Sequence, residues 1–541
     1  MKSRHTHQLA LLSAALFALI ASCSMPLIVH AQEHSPLVFT FSGSVRGSVT
    51  SAGFREFLGI PYAAPPVGNL RWRPPVPHAP WLAPLEATQF ANHCPQPPSP
   101  FGIASVTEDC LFLNVFTPDS NDFFRPRAVM VWIHGGALVF GESNDYDPTA
   151  LVQDGVIVVT INYRLGALGF LAHPAFAREN TDPDRDRDRD RDPNSAGDYG
   201  LMDQQLALRW VRDNIWFFGG DPRNVTIFGE SAGGLSVFSQ LASPSSEGLF
   251  HKAIIESGAY ALNTQTLDAA EVAGAAFATA TSCSAQTATC LRALPVTTIL
   301  ANENFAGYTP NIDGEFFPLS LNTALATGQF HHVPVIQGSN HDEWRLFTAL
   351  DFDLTAAGPI ANNEAAYEAA LATLVGPAAP LVAVQYSLAS FPSADIAFAA
   401  AGTDVVFACP ALGADLSMSQ FVPLSTYEFK DENAPQDFLP PVSFPYAAAH
   451  ASELQYLFTL PVTVPRPPLS AQQLQLSSAM QHYWTNFAKF GTPNSSSVPL
   501  WQEFNPLAGN FQSLIPHSLA QETDFATAHH CAFWDALLSA K

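Results

Sequence analysis

The sequence has 541 residues, of which 47% are hydrophobic and 13% are charged. A charged share of about half the usual value, beside so many apolar residues, excludes an intrinsically disordered chain. The 24 basic and 48 acidic side chains give a formal net charge of −24, which excludes generic nucleic-acid binding because polyanions repel an acidic surface.

The first 31 residues have the features of an export signal. A basic start precedes an apolar run at 9–21, which is too short to cross a hydrocarbon core of about 30 Å. Two processing outcomes stay open: a signal peptide spanning 1–31, or a bacterial lipobox at 20–23 that leaves a lipid anchor on Cys23. Both outcomes predict a secreted or periplasmic protein, and no later apolar run predicts a transmembrane span.

The seven cysteines also suit an oxidising compartment. Both processing outcomes remove Cys23 from the folded domain, and the other six can pair in several ways. Proximity along the chain favours the pairs Cys94–Cys110 and Cys283–Cys290, with Cys409–Cys531 left over. Free buried thiols are the alternative. Because no CxxC or Cys/His spacing is typical of a zinc site, no metal is predicted.

Residues 36–541 are predicted to form one domain without a dividing linker. Short apolar runs alternate with helical patterns, which is typical of an α/β protein with a buried, mostly parallel sheet flanked by helices. The predicted strands are 129–133, 156–161, 225–228, 253–255 and 333–336. A helix is predicted at 201–217, and Ala-rich helices at 353–401 are expected to pack over the sheet as a cap.

An Asp-Arg dipeptide repeat occupies residues 184–192, between Pro183 and Pro193. Alternating charges can pair across helix turns or bind a cation. Short repeats bounded by prolines are far more often solvated loops, so the repeat is predicted to be a low-complexity loop insertion.

The strongest chemical motif is Gly-Glu-Ser-Ala-Gly-Gly at 229–234. A predicted strand runs into it and a helical run follows at 235–241, which is the context of a nucleophile elbow. The turn is so tight that the residues two before and two after Ser231 must be small, and both are glycine. The helix N-terminus favours negative charge that develops at the serine. A Gly-rich turn without chemistry is the alternative.

A second motif, His-Gly-Gly-Ala at 134–137, follows directly after the first of the predicted strands. Small residues there let backbone N–H groups approach a substrate oxygen, as an oxyanion hole requires. Glycine pairs after strands also form turns without a catalytic role, but the presence of the elbow motif in the same sequence disfavours this interpretation. Together the two motifs predict acyl transfer by a serine nucleophile.

With these motifs the sequence resembles the type-B carboxylesterases, a family that includes cholinesterases and bacterial p-nitrobenzyl esterases. The resemblance covers nearly all of 37–541. Its further landmarks are, in order, 57–63, 65–68, 70–72, 108–115 and 219–222. The resemblance implies an α/β-hydrolase fold with helical cap insertions. It also implies a secreted serine hydrolase that acts on carboxylic esters and needs no cofactor.

The resemblance implies a Ser–Glu–His triad in that chain order. Glu343, rather than its neighbour Asp342, matches the acid in the Gly-x-x-x-Asp-Glu pattern at 338–343, although Trp344 replaces the glycine usual in the family. His450 matches the base at the start of 450–458, although Ala451 stands where glycine is common. The implied oxyanion donors are the N–H groups of Gly136, Ala137 and Ala232, and the implied disulfides are the three pairs given above.

The expected substrate is a small-molecule carboxylic ester in a moderately apolar pocket. The short Cys94–Cys110 loop lacks the tryptophan on which cholinesterases stack choline, which argues against a choline-ester specialist. Two alternatives stay open: a true lipase, which needs an apolar mobile lid, and a non-catalytic binding module on the same scaffold. The complete set of nucleophile, acid, base and oxyanion loop disfavours the binding module. Ser257 resembles a supporting serine of the family.

Overall fold

A computed structural model describes residues 35–119, 125–179, 197–303 and 308–539. The predicted signal segment at 1–31, with Cys23, and the Asp-Arg repeat at 184–192 lie outside the described residues. From Pro36 onward the chain forms one compact unit. Every candidate catalytic, oxyanion and disulfide residue lies within this unit.

The strands of the described residues lie along the whole unit. They are β1 (Leu37–Thr40), β2 (Gly43–Arg46), β3 (Ser48–Val49), β4 (Phe54–Pro61), β5 (Leu85–Glu86), β6 (Phe112–Pro118), β7 (Arg127–Ile133), β8 (Ile157–Ile161), β9 (Gly220–Glu230), β10 (Lys252–Glu256), β11 (Gln265–Thr266), β12 (Asn311–Ile312), β13 (Val335–Asn340), β14 (Leu424–Phe429), β15 (Phe511–Ile515) and β16 (Ser518–Glu522).

Eleven of these strands form one sheet, in the order β16-β15-β14-β13-β10-β9-β7-β8-β6-β4-β3. From β15 to β8 every neighbouring pair is parallel. The remaining pairs, at the two edges, are antiparallel. The prediction of a mostly parallel sheet flanked by helices, as in the α/β-hydrolase fold, is confirmed.

Helices connect the strands and cover the sheet. The α-helices of the described residues are α1 (Thr149–Gln153), α2 (Gly166–Phe170), α3 (Pro174–Glu179), α4 (Tyr199–Asn214), α5 (Ala232–Ala242), α6 (Leu267–Ala280), α7 (Ala288–Arg292), α8 (Val296–Leu300), α9 (Leu321–Thr327), α10 (Trp344–Thr348), α11 (Glu364–Val375), α12 (Ala379–Gln385), α13 (Ala394–Gly402), α14 (Cys409–Met418), α15 (Ala471–Phe490), α16 (Phe525–Ala528) and α17 (Cys531–Ser539).

The central strand β7 shows why the sheet is continuously apolar. Val129, Val131 and Ile133 belong to one buried cluster. Met130 and Trp132, which alternate with them, belong to another. Because successive side chains of a strand point to opposite faces, β7 contributes to a core on each side of the sheet. The sheet is therefore the layer between two cores.

Strand β13 begins two residues later than predicted and extends four residues further. Pro334 has no N–H to donate to a ladder, although its carbonyl accepts a hydrogen bond from Ala253 N at 3.1 Å. Beyond the predicted end, the strand stays paired with β14 as far as Asn340. The loop that carries the acid therefore starts at His341, only two residues before Glu343.

The Ala-rich region forms α11, α12 and α13, but these helices pack on one another rather than over the sheet. Their buried side chains, which include Leu371 and Phe398, form a separate cluster with Trp534 of α17. The position of this cluster follows from α17, which lies far away in the sequence. The expectation that these helices pack over the sheet was wrong, because their apolar side chains pack against α17 instead.

Two helical segments, Glu364–Gln385 and Ala394–Met418, are long and apolar enough to cross a membrane by length and composition. Buried core helices meet the same criteria, so these two segments do not overturn the prediction that no transmembrane span is present. Their contacts lie within the domain, where Asp395 accepts a hydrogen bond from Ile360 N and Asp404 contacts His529. These buried aspartates are satisfied by protein partners, as in the helices of a folded core.

Three disulfides join the pairs favoured by proximity: Cys94–Cys110, Cys283–Cys290 and Cys409–Cys531. The first precedes β6, the second links the end of α6 to α7, and the third ties α14 to α17. Since disulfides form and persist in oxidising compartments, the three bonds are consistent with an extracellular or luminal protein.

Candidate active site

Ser231 lies in the turn between β9 and α5. Its backbone has φ +56° and ψ −120°, a positive φ that residues with a side chain rarely adopt. Its N–H donates to the Glu256 carbonyl at 2.9 Å, and its own carbonyl accepts from Leu235 N at 2.8 Å. These bonds to β10 and α5 hold the turn in its strained conformation.

The glycines on either side of Ser231 are required by close backbone contacts. A Cβ at Gly229 would lie 2.6 Å from the carbonyl carbon of Gly233. A Cβ at Gly233 would lie 2.0 Å from the carbonyl oxygen of Ile133. The need for small residues in the elbow therefore comes from the first turn of α5, which contacts the end of β7.

Gly233→Ala is expected to destabilise the protein by at least about 3 kcal/mol, because the new methyl group overlaps a backbone oxygen that cannot rotate away. Thermal unfolding of the purified variant measures this. Gly413→Ala in α14 is the matched control, since no atom lies within 4 Å of a Cβ built there. A Tm equal to that of the control would contradict the close contact.

The loop after β7 lies against the elbow. A Cβ at Gly135 would be 3.1 Å from Ser231 Cβ, and Gly136 and Ala137 have φ values of +98° and +55°. Neither Gly136 N nor Ala137 N donates to another described residue. Ala232 starts α5, and the first N–H groups of a helix have no partner within it. All three predicted oxyanion donors are therefore available to a ligand.

His134, the first residue of that motif, is a buried structural side chain. Burial lowers its pKa to about 4, so the ring is neutral at neutral pH. It stacks on Tyr163 with ring centroids 4.5 Å apart, and the Tyr163 hydroxyl donates to the His134 carbonyl at 2.8 Å. These contacts fix the start of the loop that carries Gly136.

Glu343 and His450 form a buried pair. His450 Nδ1 lies 2.6 Å from Glu343 Oε2. The other carboxylate oxygen, Oε1, accepts from Ser257 Oγ at 2.6 Å and from Asn340 N at 2.7 Å. His450 Nε2 has no hydrogen-bond partner among the described residues. The carboxylate is therefore held on both oxygens, while the carboxyl oxygen Glu230 Oε1 lies 3.1 Å from Nε2 without meeting the geometry of a hydrogen bond.

The loop that carries His450 is bonded to the loop that carries Glu343. Asp342 N donates to the Ala448 carbonyl at 3.0 Å, and His450 N donates to the Glu343 carbonyl at 3.3 Å. The Asn340 side-chain amide donates to the Ala449 carbonyl at 2.9 Å. The two loops, which come from distant parts of the chain, therefore hold each other in place.

Ser231 and His450 line one cavity of about 200 Å³, here called the Ser231 cavity. Gly136 and Ala137 line it as well, so the structure brings the predicted nucleophile, the predicted base and the predicted oxyanion loop to one cavity. The other walls are mostly apolar and include Phe101, Phe140, Leu346, Phe347, Phe438 and Leu460. In the described part of the chain, none of the residues 353–401 lines this cavity, so the pocket walls come from elsewhere than the predicted cap.

Comparison with known proteins shows the family of this chain. A model of the carboxylesterase family matches residues 34–534. The chain belongs to the carboxylesterase family. It is 35% identical to acylcarnitine hydrolase from Mus musculus over 91% of this chain and 89% of that protein. It is 35% identical to para-nitrobenzyl esterase from Bacillus subtilis, over 85% and 91%, and 34% identical to cocaine esterase from Homo sapiens, over 94% and 92%.

Membership of the carboxylesterase family makes the protein a hydrolase of carboxylic esters. Two positions at which the sequence departs from the family pattern have a local structural explanation. Ala451 has φ +65°, a conformation that glycine adopts without strain. Trp344 fills the space beside Gly402, where a Cβ would lie 2.2 Å from the Trp344 ring. Asp342 pairs with Arg345 at 2.8 Å and accepts from Ala448 N at 3.3 Å, whereas the Glu343 carboxylate contacts His450 itself. Glu343 is therefore the acid next to the base.

Near His450 the carboxylesterase also buries three carboxyl groups, among the described residues, that sequence reasoning missed: Glu230, Glu256 and Glu453. Glu230 Oε1 lies 3.1 Å from His450 Nε2. Burial and neighbouring carboxylates raise the pKa of Glu230 and of Glu256 well above the usual range. Burial, with Glu230 and Glu343 nearby, raises the pKa of Glu453 to about 8. The available signals were the position of Glu230 inside the elbow motif, that of Glu256 directly before Ser257, and that of Glu453 three residues after His450.

Glu453→Gln is expected to reduce the loss of folding stability that accompanies a rise from about pH 5 to about pH 8. A pKa raised from 4.5 to about 8 means that folding favours the protonated form, so this contribution is present at low pH and is lost as pH rises through 8. Glutamine stays neutral and still accepts the Asn340 hydrogen bond. Tm measured at both pH values tests this, and parallel curves for wild type and variant would contradict it.

Proposed function

We propose that Ser231, His450 and Glu343 form the catalytic triad of this carboxylesterase and cleave esters through an acyl-enzyme intermediate. The observation that supports this most strongly is the buried His450–Glu343 contact beside the cavity that Ser231 lines. In this proposal, His450 Nδ1–H donates a hydrogen bond to the Glu343 carboxylate. His450 Nε2 then carries no proton and acts as the base. Ser257 and Asn340 hold the carboxylate by hydrogen bonds and do not line the Ser231 cavity.

In the acylation step, His450 Nε2 takes the proton of Ser231 Oγ as Oγ attacks the ester carbonyl carbon. The oxyanion of the tetrahedral intermediate is bound by the N–H groups of Gly136, Ala137 and Ala232, each worth about 2.7–4 kcal/mol in comparable sites. The imidazolium then protonates the leaving alkoxide, and the alcohol departs. Water repeats the attack with His450 as base, which releases the carboxylic acid and restores the serine hydroxyl.

The Ser231 cavity favours small esters with short, uncharged acyl chains. Its volume of about 200 Å³ is below that of pockets for drug-sized ligands, and its lining includes four phenylalanine and four leucine side chains. The relatives named for acylcarnitine, p-nitrobenzyl and cocaine esters support carboxylic esters as the substrate class.

Hydrolysis of p-nitrophenyl esters from acetate to palmitate, with Ser231→Ala beside the wild type, tests the proposal. We expect turnover to peak at short chains and to vanish in the variant. Turnover that rises with chain length would favour a lipase. A fluorophosphonate probe that fails to label Ser231, together with no serine-dependent turnover, would leave only a binding module.

We also infer that the protein is exported to a secreted or periplasmic location. The three disulfides and the signal features of the first 31 residues support this. Fractionation of expressing cells, followed by N-terminal analysis of the mature protein, tests it. A start at Gln32 would indicate a cleaved signal peptide, a lipid-modified Cys23 would indicate an anchored lipoprotein, and a cytoplasmic chain that keeps Met1 would contradict export.

A further inference from the structure

Away from the Ser231 cavity, two imidazoles and a carboxylate converge beside β13 and β14. One ligand atom each from His341, Glu428 and His529 lies within 4.8 Å of the other two. His341 Nδ1 is 2.5 Å and His529 Nε2 is 2.8 Å from the same oxygen, Glu428 Oε1. Sequence spacing does not reveal the cluster, because its members come from the acid loop, from β14 and from the segment before α17.

We propose that His341, Glu428 and His529 form a binding site for Zn²⁺. Two imidazole nitrogens and one carboxylate oxygen are a donor set that Zn²⁺ takes in proteins, with water as the fourth ligand. An ion bound by these three atoms would replace the two hydrogen bonds that the imidazole nitrogens now make to Glu428 Oε1. The site lies outside the ester-hydrolysis machinery and does not depend on the triad.

A hydrogen-bonded chain behind His529 orients its ring for this role. Asp404 Oδ1 lies 2.6 Å from His529 Nδ1. Asp404 Oδ2 accepts from the Tyr386 hydroxyl at 2.5 Å, and that hydroxyl accepts from Trp534 Nε1 at 2.7 Å. A carboxylate on the far nitrogen of a metal-binding histidine is common, because it fixes the ring and makes the ligating nitrogen more basic.

Without a metal, two carboxylates hold the His529 ring by hydrogen bonds, Asp404 at Nδ1 and Glu428 at Nε2. Zn²⁺ bound at Nε2 would replace the hydrogen bond to Glu428 Oε1, while the contact with Asp404 stays in place.

The charges and cavities around the cluster suit a hydrated cation. Lys430 Nζ lies 3.4 Å from Glu428 Oε2 and 2.8 Å from Glu522 Oε2, so the lysine is occupied by two carboxylates and Oε1 faces the imidazoles. The His341 side chain is 35% exposed and borders two cavities of about 480 and 520 Å³. These cavities give an ion a path from solvent and leave room for the water ligand.

Zinc titration of the full chain, stripped of metal with a chelator, tests the proposal. We expect one Zn²⁺ per chain, a higher Tm on binding, and a visible absorption band when Co²⁺ replaces Zn²⁺. His341→Gln is expected to weaken Zn²⁺ binding by at least about 10-fold. His517→Gln is the matched control, because this exposed histidine borders the larger cavity and is not in the cluster.

Less than one ion per chain, or equal affinity in wild type and His341→Gln, would overturn the proposal and leave an ion-paired network without metal. Asp404→Asn guards against a misfolded ligand variant, since it keeps all three ligands and is expected to weaken binding about 10- to 100-fold. Ser231→Ala should bind Zn²⁺ as tightly as the wild type. A failed zinc titration therefore leaves the esterase proposal intact, and a failed esterase assay leaves the zinc site intact.

Discussion

Replacing Ser231 by alanine is expected to lower kcat for ester hydrolysis by about 10⁶-fold. In the proposed mechanism the Ser231 oxygen forms the acyl-enzyme, and Ser231 is the residue of the turn between β9 and α5 that lies against the loop carrying Gly135. The elbow itself is held by backbone hydrogen bonds to Glu256 and Leu235, which alanine keeps. The variant should therefore fold with a Tm close to that of the wild type.

A double variant, Ser231→Ala with His450→Ala, sharpens this test. Members of a triad act as a unit, so the second substitution should add almost no loss once the first has been made. Steady-state kinetics on p-nitrophenyl acetate measure all three proteins. Losses that multiply in the double variant would mean that His450 acts independently of Ser231, and wild-type turnover in Ser231→Ala would place the nucleophile elsewhere.

Glu343→Gln is expected to lower kcat by about 10⁴-fold while leaving the fold intact. The hydrogen-bond pattern decides how the new amide sits. Ser257 Oγ and Asn340 N both donate to Oε1, so the amide oxygen takes that place and the NH₂ group faces His450 Nδ1. The ring must then accept at Nδ1 and carry its proton on Nε2, which removes the base.

Asp342→Asn is the matched control for that experiment. Asp342 is adjacent in sequence but pairs with Arg345, so its loss should change kcat only a few-fold. The measurement is kcat on a short p-nitrophenyl ester, with circular dichroism to verify folding. A loss of kcat in Asp342→Asn as large as that in Glu343→Gln would contradict the assignment of Glu343 as the acid.

Local sequence patterns predicted the parts of the site that depend on local structure. Strand β7 is apolar along its length because both of its faces are buried, and the elbow needs glycine because α5 contacts β7 at Gly233. Glu343 and His450 are different, because they meet only through folding. Their assignment depended on the resemblance to a family, since composition and spacing do not single out one histidine among 17.

The features that sequence did not predict depend on contacts between distant residues. Glu256 is a buried carboxyl group whose partner, Trp484, lies 228 positions away. The polar end of β13, Ser339 and Asn340, is buried because β14 pairs with it, although its composition is typical of a loop. The helices at 353–401 do not pack on the sheet, because their apolar side chains are buried in a separate cluster with Trp534.

The bonds between the loop of Glu343 and the loop of His450 have a consequence for how this enzyme can change. Acid and base are fixed to each other by backbone groups, whatever side chains stand across the cavity from them. Phe101, Phe438 and Leu460 line the cavity on segments that take no part in those bonds. Mutations in the cavity walls, in evolution or in a laboratory library, can therefore change the substrate preference. The arrangement of Glu343 and His450 stays the same.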